Sequence, residues 1–265
     1  MRQGFTALLG SAMLSVVFAS GALAADMPVK ARPIAAAPAF NWTGFYIGGN
    51  VGAAWQNSST NFLSLPFGVG APADPFQVNG SRAHFAGGVH AGYNFQFSGN
   101  WVVGAEIDFS LLSNSANRNV RQATITGGTP VAGDFITTED KTDWLASARA
   151  RLGYAITPNW LVYGTLGGAW SRHSYEANEI NTVLPFSATV GKFHKDATGV
   201  AAGGGFEYAM TQNLILRAEY LYYGVGKTVT AVAPCVGACA GVGPDVFTWR
   251  TTDIQQVRAG LSYKF

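Results

Sequence analysis

The sequence predicts an all-β chain: an eight-stranded antiparallel up-and-down β-barrel that crosses a membrane with strands. Three observations predict it. Apolar residues recur at every second position in segment after segment, as at Val257, Ala259, Leu261, Tyr263 and Phe265. The connections between these segments alternate between short turns and long polar stretches. No stretch of the chain is apolar for the roughly 20 residues a spanning helix needs, so only a closed barrel would take it through a bilayer.

The N-terminus reads as an export signal. Arg2 supplies the positive charge, Ala12 to Phe18 lies in a short apolar stretch, and Ala22-Leu23-Ala24 fits an A-x-A cleavage site. Residues 1–24 are therefore expected to be removed. Residues 25–43 are rich in alanine and proline (Pro28, Pro33, Pro38) and show no periodicity, so a flexible periplasmic segment is expected there. The barrel domain is then 44–265. Composition agrees: 33 of 265 residues are glycine, aromatics are 13% and charged residues only 12%. That charged share is about half the usual one for soluble domains. The net charge of +2, or +1 once Arg2 is lost, argues against a nucleic-acid partner.

The strands follow in order. Gly44 to Trp55 is the first. A repeat then supplies six more: Gly92-Tyr93 leads to Asn100-Trp101-Val102, Gly153-Tyr154 to Asn159-Trp160-Leu161, and Gly205-Phe206 to Asn213-Leu214-Ile215. Each is strand, tight turn, asparagine, strand, the hairpin unit of an up-and-down barrel. Thr252 to Phe265 is the eighth. Gln56–Ser81, Ser113–Asp140, Ser174–His194 and Val229–Arg250 are expected as four long extracellular loops, which puts both chain ends on the periplasmic side.

Alternation alone does not say which face meets lipid. The C-terminal aromatic, the loop asymmetry and the aromatics near strand ends decide for an apolar exterior. The expected girdles hold Phe45, Trp55, Tyr93, Phe97, Trp101, Trp144, Tyr154, Tyr208 and Tyr263. The lipid face then carries Ile47, Val51, Phe85, Val89, Val103, Ile107, Phe109, Leu152, Leu216, Tyr220, Val257 and Leu261. The fifth strand, Trp160 to His173, is apolar on both faces and its phase stays open.

Charges fall on the opposite face: Glu106, Asp108, Arg149, Arg151, Glu207, Arg217, Glu219 and Arg258. Four acids and four arginines at one level predict an interior network, since an eight-stranded barrel is just wide enough for side chains to fill. Unpaired charge there would be costly, and arginine forks satisfy carboxylates. The short turn at Gln212 sets Glu207 opposite Arg217; Glu106–Arg151 and Asp108–Arg149 are expected by level. Gly48, Gly52, Ala86, Gly88, Gly203 and Gly205 leave room for the arginines, and a plugged interior follows. His84 and His90 face inward as well.

No catalytic constellation, metal cluster or nucleotide fingerprint is expected. The best nucleophile candidate is Ser174 with His173 and Glu176, but neighbours on a strand point to opposite faces. Binding would lie in the loops. The fourth holds Cys235 and Cys239, expected to form a local disulfide in an exported chain. No cofactor is expected; a haem contact at His173, His194 and Lys195 is a minor reading, and a narrow or gated small-solute pore is the main alternative to a structural role.

Three segments carry a family resemblance: Ala25-Asp26-Met27-Pro28, Asn41-Trp42-Thr43-Gly44-Phe45-Tyr46-Ile47-Gly48-Gly49-Asn50-Val51-Gly52, and the ending Val257 to Phe265. The chain resembles the major outer-membrane proteins of alphaproteobacteria, the Omp25/Omp31 type within the OmpA-like small-barrel group. The resemblance implies a Gram-negative outer-membrane location and a role in envelope integrity and surface or host contact. It implies partners among outer-membrane lipid and lipopolysaccharide, the barrel-assembly machinery reading Leu261, Tyr263 and Phe265, and ligands at the loops. For some members it also implies haem binding. With Phe265 closing the last strand, anchoring through a peptidoglycan-binding domain is not expected.

Overall fold

Alternation builds the wall. The computed structural model describes residues 39–63, 76–113, 117–125, 129–183, 186–237 and 244–265. They form β1 (Gly44–Leu63), β2 (Phe76–Phe97), β3 (Trp101–Ser113), β4 (Asn117–Ile125), β5 (Thr129–Thr157), β6 (Trp160–Asn181), β7 (Phe186–Ala209), β8 (Leu214–Gly224), β9 (Lys227–Ala233), β10 (Cys235–Gly237) and β11 (Asp245–Lys264). Eight of these, β1-β2-β3-β5-β6-β7-β8-β11, pair antiparallel in that order, and β11 pairs back to β1 to close the ring. The short strands flank it: β4 lies on β5, β9 on β11 and β10 on β7.

The closure is staggered. From Phe45 the ladder runs through Tyr93, Ala105, Ala150, Leu166, Ala202, Tyr222 and Gln255 and returns to β1 at Trp55, ten residues farther along. A stagger of that size tilts the strands by about 40°. It also offsets each hairpin from the next, and the repeated asparagine bridges the offset. The carbonyls of Asn100, Asn159 and Asn213 accept the N–H groups of Ala155, Ala209 and Lys264, at 2.8, 2.9 and 2.7 Å. The side chains of Asn159 and Asn213 donate to the carbonyls of Ala209 and Lys264. The sequence repeat is thus the seam of the periplasmic rim. One turn there uses left-handed backbone at Ser98 (φ 46°) and Gly99 (φ 79°), the second being a residue without a Cβ to clash.

The predicted lipid face is exposed as expected, from Phe45, Ile47 and Val51 round to Val257 and Leu261. The open phase of β6 resolves: Trp160, Val162, Leu166 and Trp170 point out, while Leu161, Tyr163 and Ala169 point in. Trp160 and Trp170 are ten residues apart, about 25 Å along the axis at this tilt, which matches the apolar band of outer-membrane barrels.

Two expectations need correction. Most of the four expected loops is strand: β1 runs to Leu63, β2 starts at Phe76, β5 at Thr129, β6 ends at Asn181, β7 starts at Phe186 and β11 at Asp245. The barrel continues above the girdle as a narrow tube with its own core of Phe62, Ile136, Tyr175, Phe247 and Trp249. The described end of the segment 25–43 is packed rather than free. Trp42 is fully buried, its backbone N–H and indole N–H donating to Gln96 Oε1 and the Pro158 carbonyl, with Phe40 edge-on at 4.8 Å. Residues 1–38 lie outside the described residues.

Candidate functional site

The interior is layered from the periplasmic end outward. Phe40, Trp42, Val102, Leu161 and Ile215 fill the mouth. Above them sit the eight predicted charges, each at most 5% exposed. Ala54, Leu112, Leu145, Leu221 and Ile254 follow as an apolar layer. Next comes a polar ring in which Thr142 donates to Gln56 Oε1 (2.9 Å) and His173 bridges Thr142 and Ser171. The Phe62–Trp249 core closes the tube above it.

Glu106 is the hub of the charged layer. Arg217 grips it with two N–H groups, Nη1 to Oε2 at 2.9 Å and Nη2 to Oε1 at 3.2 Å. Arg149 Nη2 donates to Oε1 (2.7 Å), and Arg151 and Arg258 lie 3.4 and 3.6 Å away. Arg149 also reaches Asp108 and Glu219, Arg151 reaches Glu207, and Arg258 joins Glu219 to Asp108. Four carboxylates and four guanidiniums therefore neutralise one another inside the wall. In a water-poor interior such pairing replaces the hydration each charge has lost.

Glu207 faces Arg217 in register as predicted, and Glu219 faces Arg258. The β3–β5 register differs: Glu106 stands opposite Arg149, and Arg151 opposite Gly104. The expected contacts Glu106–Arg151 and Asp108–Arg149 still form, diagonally, at 3.4 and 3.1 Å. No tight turn joins these two strands, so nothing local fixed their register. Interior glycines provide the space: a Cβ on Gly52 would overlap the Val257 carbonyl oxygen, and one on Gly88 the Phe109 carbonyl oxygen and the Ser110 hydroxyl.

Three tyrosines complete the layer and were missed among the apolar residues. Tyr46 OH donates to Glu106 Oε2 (2.8 Å) and accepts from Arg151 (2.7 Å). Tyr163 OH accepts from Arg217 (2.9 Å) while its ring lies 4.0 Å beneath the Arg151 guanidinium. Tyr223 OH donates to Asp108. Their inward phase was the available signal: Tyr46 alternates with the lipid-facing Phe45 and Ile47. His84 and His90 face inward; His90 bonds Asn50 and Ser262.

The outer candidates separate. His173 is buried in the polar ring, whereas His194 is on the outer wall with more than half its side chain exposed, so the two do not converge on one ligand. Ser174 meets Asp143 and His194 rather than Glu176. Its hydroxyl donates to Asp143 Oδ2 (2.6 Å) and lies 2.8 Å from His194 Nδ1. A nucleophile relay needs the imidazole between hydroxyl and carboxylate; here the hydroxyl donates straight to the carboxylate, and His194 Nδ1 lies 3.5 Å from the same Asp143 oxygen. The expected Cys235–Cys239 bridge rests on Cys239, outside the described residues.

At the outer rim, three carboxyls converge from three strands: Asp134 on β5, Glu179 on β6 and Asp245 on β11, all buried. Burial, together with a hydrogen bond to Asp245, pushes Glu179 up to about 10. Burial raises Asp134 to about 6, against a hydrogen bond from Asn181.

The chain matches the outer-membrane protein β-barrel domain family over residues 12–265. It belongs to that family. It is 34% identical over 261 residues to the 31 kDa outer-membrane immunogenic protein of Brucella melitensis, covering 96% of this chain and 98% of that protein. It is 28% identical over 253 residues to the 25 kDa outer-membrane immunogenic protein of Brucella abortus, covering 95% and 92%. Among solved structures it is similar to the outer membrane protease OmpT of Escherichia coli, with 11% identity, 87% and 99% coverage and a TM-score of 0.45. The protein is therefore a surface β-barrel of the Gram-negative outer membrane, of the Omp25/Omp31 type, as the resemblance implied.

Proposed function

We propose that the protein is a sealed, non-catalytic barrel that strengthens the envelope and holds its outer tube and loops toward the surroundings. The observation that carries this reading is the filled interior. An ion-paired layer lies between two apolar ones, with a third apolar cluster above the membrane. Solute passage would have to break several buried ion pairs whose partners have no water to replace them, a cost of several kcal/mol each. The non-catalytic part of the reading rests on Ser174, which donates directly to Asp143 with no imidazole between them to act as the relay.

The test is conductance. The mature chain, refolded and inserted in a planar bilayer, is expected to give no reproducible current steps at moderate voltage. Stable openings in the wild type would overturn the sealed reading and put the small-solute pore first.

A further inference from the structure

The outer wall changes character abruptly above the upper girdle, where exposed or half-buried charged side chains stand on β5, β6, β7, β9 and, with Arg250, on β11. Arg172 lies two residues beyond the exposed Trp170, about 5 Å higher, with its guanidinium 5.8 Å over the Trp144 ring. Around it on β5, β7 and β9 stand Lys141, His194 and Lys227, interleaved with Asp143 and Asp196, and Glu139 and Glu176 follow next above on β5 and β6. Arg172 pairs with Asp196 at 2.7 Å, Lys141 with Asp143 at 3.6 Å, and Lys227 Nζ donates to the Asp196 carbonyl. Lys192 and Lys195, both exposed, lie on the same stretch of β7. At the level of Arg172 the cations Lys141, Arg172, Lys195 and Lys227 outnumber the carboxylates Asp143 and Asp196. By contrast, the outward faces of β1, β2 and β3 carry no charged residue among the described side chains; at the same level they present Asn57, Ser59 and Ala83.

We propose that this face, built on β5, β6, β7 and the start of β9, is a docking surface for the phosphorylated headgroup of an outer-leaflet glycolipid. The inference rests on the outer-membrane reading and adds to it a place and a chemistry. Three arguments fix the occupant. The band begins where the hydrocarbon ends, at the level of the first phosphates rather than of the loop tips. Its excess charge is positive, and it mixes an arginine fork with lysine point charges, the usual pair for phosphate oxygens. Its tryptophan floor, exposed Trp170 and half-buried Trp144, gives the acyl chains beneath the headgroup a flat apolar support.

The experiment uses the refolded mature barrel in neutral detergent micelles, with native mass spectrometry counting retained lipid. The probes are diphosphoryl lipid A and its dephosphorylated counterpart. The wild type is expected to retain the phosphorylated lipid and to release the other. A Lys141→Ala, Arg172→Ala, Lys227→Ala variant should retain it on the order of a hundredfold less, at roughly fivefold per cation near an anionic surface. Lys264→Ala, which removes a cation at the periplasmic rim, should behave as wild type. Folding of each variant is verified by its heat-dependent shift on a gel. Equal retention of the two lipids by the wild type would overturn the proposal, and so would undiminished retention by the folded triple variant. Neither result depends on whether the barrel conducts, so the sealed reading stands or falls separately.

Discussion

Glu106 shows how much one residue can hold together. All four interior arginines lie within 3.6 Å of it, and Tyr46 adds a fifth partner. Removing one member of such a buried set leaves its partner charged and unsolvated, which typically costs 3–5 kcal/mol. Arg217→Ala is accordingly expected to lose about 3–5 kcal/mol in urea unfolding of the folded barrel. Arg172→Ala, which breaks an exposed pair, should leave the midpoint where it is. Equal midpoints for the two variants would show that the interior pairs contribute no more than surface ones. At this scale the sequence was highly legible. Eight charges in a face that alternates with lipid-facing residues have nowhere to go but inward. The tyrosines were not legible, because a phenol suits the girdle as well as a polar core and only its partners distinguish the two.

An element in this barrel is two elements end to end. Along β1 the exposed side holds Phe45, Ile47 and Val51 low down, then Asn57 and Asn61; the buried side holds Asn50 low down and Phe62 at the top. The hydrophobic phase reverses where lipid gives way to water, since a strand buries whichever side does not meet its solvent. That reversal is why the upper strands read as polar loops. Register shifts at Gln56/Ser58, Thr142/Trp144 and Tyr175/Ala177 broke the alternation just where it changed sense. The upper segment should also respond to pH through the rim carboxyls. Glu179 keeps its proton up to about pH 10 in the folded tube but releases it near the ordinary carboxylate value when unfolded. The folded tube binds the extra proton, so its stability is full below about pH 4.5 and declines as pH rises toward 10. Resistance of the tube to proteolysis should fall between pH 5 and pH 9 in the wild type, and much less in Glu179→Gln. Parallel profiles for the two proteins would remove Glu179 from the account.

For the whole molecule, the seals stand in series. The mouth packed by Trp42, the charged layer and the core around Trp249 are separate layers of one tube. Trp42→Ala and Trp249→Ala should each stay silent in a planar bilayer, and current should appear only when seals are removed together. A single variant that conducts like an open pore would show that one layer does all the closing. Fold class, strand count in the ring and membrane sense were all legible from alternation, turn lengths and the C-terminal strand. The ten-residue stagger was not, because it is the sum of eight pairings and no single turn encodes it.

The change of outward face above the girdle also acts as a depth gauge. Sliding the barrel outward would expose Trp144 and Trp170 to water, and sliding it inward would drag Arg172 and Lys141 into hydrocarbon. The molecule has one height at which both halves are satisfied. From Trp170 to Asn181 the wall of β6 rises a further eleven residues, about 27 Å at this tilt. The barrel is thus a pedestal of fixed height, and whatever its tips carry stands clear of the lipid headgroups beneath.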